Sequence, residues 1–412
     1  MKRLIAVTAI LLLISSSGFG LGDYGTPGEF LNWGAGARSM GMGRAFTGLA
    51  DDASAIYYNP AGLAFQNPLQ IMGQHVFLFY DTIYEYGAIV YPVSGIGTFG
   101  FGYVGLMSFG YDARDDEWVS LSPDPFNIMN QAFMLSYARE LIPWLSLGLN
   151  VKVIAESNFG ADSIGYGADV GLLAVPNEYI SVGLSVINAV PPTIKLDVDD
   201  EQFPIIVKFG LALKLFGDRV IPSVDVEKEL SNKDVKVRFG AELWPVQQVA
   251  IRGGMDETEM MVGLGVAWKP YYIDYSLSFQ ELGLSHRVSV TFAFGGFDVN
   301  LSAEPKIFSP VGVRKNTTIS IYAVTKYQIS EWELSILNEE GDSVRTYSGD
   351  EKPPTQVIWN GKDDRGLPVS DGEYRCVMKV IDKNGKEISS GGETVKISSS
   401  IPMQPGRIEL EE

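Results

Sequence analysis

Leu145-Ser146-Leu147-Gly148-Leu149-Asn150-Val151-Lys152-Val153 places leucine or valine at every odd position and serine, glycine, asparagine or lysine at every even one. Successive side chains of a β-strand point to opposite faces, so this stretch is a strand with one apolar and one polar face. The same period returns in Val235-Val237-Phe239-Ala241-Leu243 against Lys236, Arg238, Gly240 and Glu242, and in Tyr271-Ile273-Tyr275-Leu277-Phe279 against Tyr272, Asp274, Ser276, Ser278 and Gln280. Strands of this kind centre near Val76, Ala88, Phe101, Leu135, Leu149, Ala168, Leu184, Phe209, Val224, Val237, Ile251, Leu264, Tyr275 and Val290. An even number of two-faced strands closes into an antiparallel barrel with an apolar outside and a polar lumen, which crosses a membrane without exposing a sheet edge.

The start of the chain has the order of a secretion signal: Lys2 and Arg3, an apolar run from Leu4 to Ile14, and the small-x-small site Gly18-Phe19-Gly20. Residues 1–20 are therefore expected to be a signal peptide, followed by a Gly- and Ala-rich hatch over 21–68, an outer-membrane barrel over 69–297, a small periplasmic β-domain over 304–398 and a disordered tail over 399–412. The 45 glycines, 19 tyrosines and 21 phenylalanines suit a barrel with a small-residue interior and aromatic girdles. Candidate girdle residues at strand ends are Phe79-Tyr80, Tyr91, Trp144, Tyr179, Trp244, Trp268 and Tyr271-Tyr272. A net charge of −18 excludes a nucleic-acid partner, which needs clustered Lys and Arg. One cysteine, Cys376, and two histidines, His75 and His286, leave little for disulfide, zinc or triad chemistry, so no enzyme activity, metal or cofactor is expected.

The connections alternate in length. Ser94-Gly95, Ile142-Pro143-Trp144, Pro176-Asn177-Glu178, Phe216-Gly217-Asp218, Trp244-Pro245 and Lys269-Pro270 read as tight turns at one end. Both long connections, around Tyr111 to Asn130 and Ala189 to Pro204, fall at the other, the pattern of periplasmic turns and outer loops. Asp115-Asp116-Glu117, Asp197, Asp199-Asp200-Glu201, Asp256-Glu257 and Glu259 make that outer end acidic. A solvated rim is the simpler reading than a calcium site or an electrostatic filter, because the ligand and glycine spacing of a calcium loop is missing. Gly95-Ile-Gly97-Thr-Phe-Gly100 has the dinucleotide pattern but sits inside a strand without a following helix, which excludes nucleotide binding.

Before the barrel stands Gly36-Ala37-Arg38-Ser39-Met40-Gly41-Met42-Gly43-Arg44-Ala45-Phe46, then Ala50-Asp51-Asp52-Ala53-Ser54-Ala55-Ile56-Tyr57-Tyr58-Asn59-Pro60-Ala61-Gly62-Leu63. This region resembles the outer-membrane superfamily of FadL-type hydrophobic-compound transporters and PorV/PorQ-type proteins. The resemblance implies a fourteen-stranded barrel with an internal N-terminal hatch, in which Asn59, Pro60 and Ala61 lie near a ligand path. From the residues themselves, Asp51 and Asp52 are placed to cap a short helix, Asn59-Pro60 favours a turn, and Gly62 permits a backbone conformation closed to other residues. Those residues either contact a ligand or fix the shape of the hatch. Lys152, Asp169, Lys236, Arg238, Glu242 and Arg252 fall on polar faces and are expected in the lumen, pairing with one another or with Arg38 and Arg44, since a Lys or Arg facing mid-bilayer lipid costs about 2–4 kcal/mol.

After the barrel, Trp359-Asn360-Gly361 with Asp363 to Gly366, and Asp371-Gly372-Glu373-Tyr374, punctuate short alternating runs such as Ile319-Ile321, Trp332-Leu334-Ile336 and Tyr374-Cys376-Met378. Turns of this type between strands predict a small β-sandwich with Trp359 and Tyr374 in its core. The segment resembles the FlgD-type immunoglobulin-like domain; calcium binding by Asp363, Asp364 and Asp371 is the minor alternative. Three functions remain open: diffusive uptake or binding of hydrophobic small molecules such as fatty acids; a PorV-like role as partner of protein secretion or surface attachment (type IX-like export); and an envelope tether through residues 304–398. Expected partners are therefore outer-membrane lipid, a hydrophobic ligand, and a periplasmic or secretion-system protein.

Overall fold

The computed structural model describes residues 27–399, except 79–81, 113, 115–124, 159–160, 196–199, 232–233, 258, 281–282, 296–297, 312–313, 326–327, 384 and 386. The expected signal peptide, most of the tail, and acidic residues 115–117, 197 and 199 lie outside the described residues, as do Phe79 and Tyr80. The chain forms two compact units that divide between Phe294 and Gly295.

The first unit is a closed antiparallel barrel of fourteen strands. In chain order these are β1 (Leu69–Phe77), β2 (Thr82–Val93), β3 (Gly97–Tyr111), β4 (Phe126–Ile142), β5 (Leu145–Asn158), β6 (Ala161–Asn177) and β7 (Ile180–Val190). After a two-residue pair, β8 (Thr193–Ile194) with β9 (Glu201–Gln202), follow β10 (Ile206–Leu213), β11 (Val220–Glu229), β12 (Val235–Val246), β13 (Val249–Asp256), β14 (Glu259–Trp268), β15 (Tyr271–Gln280) and β16 (Gly283–Phe294). Every strand centre expected from the alternation falls in its own barrel strand. Closure comes from β1 against β16, with Leu69 opposite Phe294 and Phe77 opposite His286. The connection expected to run to Asn130 is shorter, because the sheet continues to Phe126, whose ring lies 6.0 Å from that of Tyr111.

Alternation sorts the wall. Outward-facing Leu135 and Val151 are 63% and 60% exposed, and Leu149, Phe209, Phe239, Ile251, Leu264 and Ile273 extend the same apolar belt. A continuous exposed belt of this kind suits hydrocarbon rather than water, and the closed sheet leaves no backbone edge unpaired within it. The fold is a transmembrane β-barrel. Tyr91, Trp144, Tyr179, Trp268 and Tyr271 project outward at the tight-turn end. Trp244 and Tyr272, expected in the same girdle, face the lumen instead: Trp244 lies under the Arg252 guanidinium, 6.0 Å from the ring centroid, and Tyr272 shares its face with buried Asp274 and Ser276.

The second unit is a β-sandwich. One sheet contains β17 (Asp298–Glu304), β19 (Thr317–Val324) and β22 (Gln356–Trp359). The other runs β18 (Ile307–Phe308), β25 (Glu393–Ile397), β23 (Gly372–Asp382), β20 (Ile329–Leu337) and β21 (Ser343–Asp350), with β24 (Glu387–Ser389) also on β23. Trp359 is the largest fully buried side chain and lies edge-on to Phe308 and Tyr374, at 5.5 and 5.2 Å between ring centroids. Ile319, Leu334, Ile336, Cys376 and Met378 complete this core. Asp363 shapes its turn: its Oδ1 accepts from the backbone N–H groups of Arg365 and Leu367 at 2.9 and 2.8 Å, and these hydrogen bonds hold its pKa below the usual value. Burial, aided by the charge of Glu393, pushes the Cys376 thiol up to about 12, so it stays protonated at neutral pH. A maleimide should leave Cys376 unmodified in the folded chain and modify it fully after denaturation; rapid labelling of the native protein, read by mass spectrometry, would contradict this packing.

Candidate functional site

The lumen is occupied by the segment before β1. It runs through a 3-10 turn (Glu29–Asn32), a short helix (Ala37–Gly41), an irregular stretch over 42–54, a second short helix (Ala55–Tyr58) and a 3-10 turn (Pro60–Phe65). So little regular structure leaves many backbone groups without partners inside the segment, and buried ones must be satisfied elsewhere. Inward-facing wall side chains supply them. Asp225 on β11 accepts from the N–H groups of Phe46 and Thr47 at 3.0 and 2.8 Å. Hydroxyls of Ser146, Ser181 and Ser223 donate to the carbonyls of Ala61, Gly48 and Ala45 at 2.9, 2.6 and 2.6 Å. Asn150 and Tyr86 donate to the Ile56 and Ala53 carbonyls, and Ser289 accepts from Ala37.

Glycines of the wall let the hatch lie this close. A Cβ on Gly148 would stand 2.2 Å from the Ala61 nitrogen, on Gly171 2.1 Å from Asn59 Oδ1, and on Gly183 2.1 Å from the Thr47 carbonyl oxygen. Gly210, Gly240 and Gly254 meet Gly48, Met42 and Gly43 in the same way at 2.1–2.3 Å. Six strands thus present a bare backbone to the hatch, β5, β7, β10, β12 and β13 to its backbone and β6 to the Asn59 side chain.

The expected site residues divide accordingly. Asn59, Pro60, Ala61 and Gly62 are buried. The Asn59 amide donates to the carbonyls of Thr47 and Leu172, both at 3.0 Å, while its oxygen accepts from Ala61 N–H. Gly62 is required for space rather than for its backbone angles, since a Cβ there would lie 2.0 Å from the Ala50 oxygen. The residue before the second helix is Ser54, which makes no side-chain cap. Asp52, two residues before Ser54, instead accepts from Ser54 N–H at 2.8 Å, and its carboxylate also serves Arg38 at 3.2 Å. Asp51 binds the same guanidinium at 2.6 Å.

Arg38 joins hatch to wall. Its Nε and Nη2 donate to Glu242 on β12, each at 2.9 Å. Glu242 also holds Arg252 at 2.6 Å, and Arg252 holds Asp274 on β15 at 2.6 Å. Arg44 makes the second bridge, to Asp256 at 2.7 Å and Glu259 at 3.0 Å. Arg238 links Asp256 at 2.9 Å to Glu227, which Lys208 also reaches at 3.0 Å. Lys152 pairs with Asp169 at 2.7 Å and donates to Asn188, and Lys236 stands 3.9 Å from Glu257. Removing one member of such a buried pair costs about 3–5 kcal/mol, because the partner keeps its desolvation penalty. Sequence reading put Ser146 and Asp274 on polar faces but did not single out Asp225, Glu227, Ser181 or Ser223, and it placed Asp256 at the acidic outer end, whereas Asp256 is buried against Arg44 and Arg238; what was missing was the knowledge of which inward residues face the hatch.

Among the described residues, a cleft lies between hatch and wall toward the end with the long connections. Its enclosed space is small, about 40 Å³, between Pro27, Gly28 and Leu31 of the hatch, Tyr57, and wall or loop residues Met134, Ile187, Phe203 and Ile206; most of the surrounding volume is open to solvent. Its polar members Lys152, Asp169 and Lys208 are already paired. Among the described residues, no group of three His, Cys, Asp or Glu side chains is arranged to hold a metal.

Gly171→Ala should clash with Asn59 and cost about 1–3 kcal/mol as an overpacked contact, whereas Gly253→Ala, where a Cβ meets nothing within 4 Å, should be neutral. Thermal unfolding and bilayer conductance of the two variants check this: a less stable, leakier Gly171→Ala beside a silent Gly253→Ala is expected, and equal behaviour would contradict it.

Residues 312–399 match the FlgD Ig-like domain family. No curated protein matches the chain. The toluene transporter TodX of Pseudomonas putida aligns at 13% identity over 63% of this chain and 96% of that one, with a TM-score of 0.46. The Ralstonia pickettii toluene transporter TbuX aligns at 15% over 63% and 97%, TM-score 0.41, and a FadL homologue of Pseudomonas aeruginosa at 14% over 62% and 98%, TM-score 0.43. The chain thus joins a hatch-filled, fourteen-stranded transmembrane barrel to a domain that matches the FlgD Ig-like family.

Proposed function

We propose that this chain sits in a bacterial outer membrane, with residues 304–398 in the periplasm, and takes up a hydrophobic small molecule through the cleft above the hatch. The observation that carries this reading is the cleft itself. Its charged groups are mutually satisfied, and the larger part of the surface it offers a guest is apolar, from Leu31, Met134, Ile187, Phe203 and Ile206. A neutral, apolar compound fits that surface; an anion would have to break an existing pair. Onward passage requires the hatch to yield, and movement would follow the concentration gradient.

A second reading, a docking platform for a secretion or surface-attachment partner, draws on the hatch being hydrogen-bonded into the wall on many sides. A barrel filled in this way offers its rim and loops to a protein even if nothing passes through it.

Mass spectrometry of small molecules retained by the full chain in mild detergent, beside Leu31→Asp, distinguishes the two. An unpaired carboxylate in the cleft costs more than about 1.4 kcal/mol, so a genuine guest should drop by about tenfold or more in the variant. Retention of bulk lipid and detergent alone, unchanged by Leu31→Asp, would overturn the uptake reading in favour of the docking one.

A further inference from the structure

Both histidines of the chain lie on the outward face of the barrel, where the wall's alternation calls for apolar side chains. His75 on β1 alternates with exposed Ile71 and Phe77, and Glu85 on β2 alternates with Ile83 and Ile89, so both leave the lumen side. They are directly paired across the two strands, with His75 Nδ1 2.5 Å from Glu85 Oε1. The same row of the sheet continues through Val288 to Tyr275 on one side and through Gly105 to Gln131 on the other. Its flanks carry two more hydrogen bonds, Tyr275 OH with His286 Nδ1 at 2.7 Å and Gln131 Nε2 to Tyr103 OH at 3.3 Å. Six outward polar side chains therefore share one sector, from β15 to β4.

The sector lies at membrane depth. Tyr91, the girdle residue of β2, is six positions from Glu85 toward the tight turns. At about 3.3 Å per residue and a tilt of about 40°, Glu85 stands about 15 Å inside the girdle, within an apolar band of about 25 Å. Ionisable groups facing hydrocarbon are costly and ordinarily face a protein surface or a water-filled cavity. Beside them the wall is notched: Gly73 and Gly87 are paired directly across the strands, and a Cβ at either would meet nothing within 4 Å.

We propose that this sector of β1–β3 is covered by the same sector of a second copy of the chain. The argument is complementarity under a two-fold axis along the membrane normal, between β1 and β2. Such an axis exchanges left and right at equal depth, so the hydrogen-bonded His75–Glu85 pair of one copy meets the same pair of the other, His75 beside Glu85 to within the roughly 3 Å of depth that the strand tilt puts between neighbouring strands. The same axis brings the two Gly73–Gly87 notches together, and small residues are what allow backbones in a membrane to approach closely. A wall carrying only donors, or only acceptors, would not complement itself in this way. Lipid would leave the row facing hydrocarbon, and an unrelated partner would not need donor and acceptor side by side at one register.

The test uses the full chain in its native membrane, with Cys376→Ser and one new cysteine. Gly87→Cys lies in the notch next to the proposed axis, and Phe209→Cys lies outward on β10, across the barrel. Oxidation should convert most of the Gly87→Cys protein to a species of twice the chain mass and leave Phe209→Cys monomeric. Adding Glu85→Gln and His75→Ala should lower the dimer yield several-fold while the heat-stable barrel band on a gel persists; a yield unchanged by those substitutions overturns the role of the pair. Two results overturn the second copy: Gly87→Cys staying monomeric like the control, or joining a chain of different mass. If the cysteine variants fail to assemble, native mass spectrometry of the unmodified chain decides, with a dimer supporting the proposal and a monomer overturning it.

Discussion

The approach of two backbones without a Cβ between them governs the first unit. Where Gly148, Gly171, Gly183, Gly210, Gly240 and Gly254 face the hatch, their missing side chains set the separation of hatch and wall. That separation brings serine hydroxyls, the Asn150 amide and the Asp225 carboxylate within hydrogen-bonding distance of hatch backbone groups. Without it an irregular segment of this length would carry unsatisfied polar groups into a closed interior. The hatch is then less a plug inserted into a finished pore than an inner layer of the wall.

The charges follow from this layer. Arg38 and Arg44 leave the hatch at points where β12, β13 and β14 offer carboxylates, and each guanidinium spans hatch and wall or several strands at once. Such bridges fix position more than they add stability, since burying the charges offsets much of their attraction. They tie Arg38 and Arg44 to Glu242, Asp256 and Glu259 of the wall. Beside this network, near the long connections, lies the cleft between hatch and wall.

Much of this was legible in the sequence. Period-two alternation needs no tertiary knowledge, so all fourteen barrel strands could be placed, and with them Lys152, Asp169, Arg238, Glu242 and Arg252 on the inner face. The core of the β-sandwich was readable for the same reason, with Trp359 and Tyr374 between recognisable turns. Three things were not. Trp244 and Tyr272 look like girdle residues by type and by their place near a strand end, and that reading overrode the parity that turns them inward. Gly62 looks like a turn glycine, whereas its constraint is the Ala50 carbonyl, a contact made twelve residues away. The glycines and serines that carry the hatch look like generic small lumen residues, because which of them meets which hatch atom depends on the path of a segment with hardly any periodicity of its own.

Hydrogen–deuterium exchange on the full chain in detergent micelles tests most directly whether the hatch is part of the wall. The Phe46 and Thr47 amides donate to Asp225 from inside the barrel. They should exchange as slowly as amides in the middle of β11 and β12. Exchange of the hatch amides orders of magnitude faster, with the strands still protected, would show a hatch that leaves its seat freely and would contradict this account.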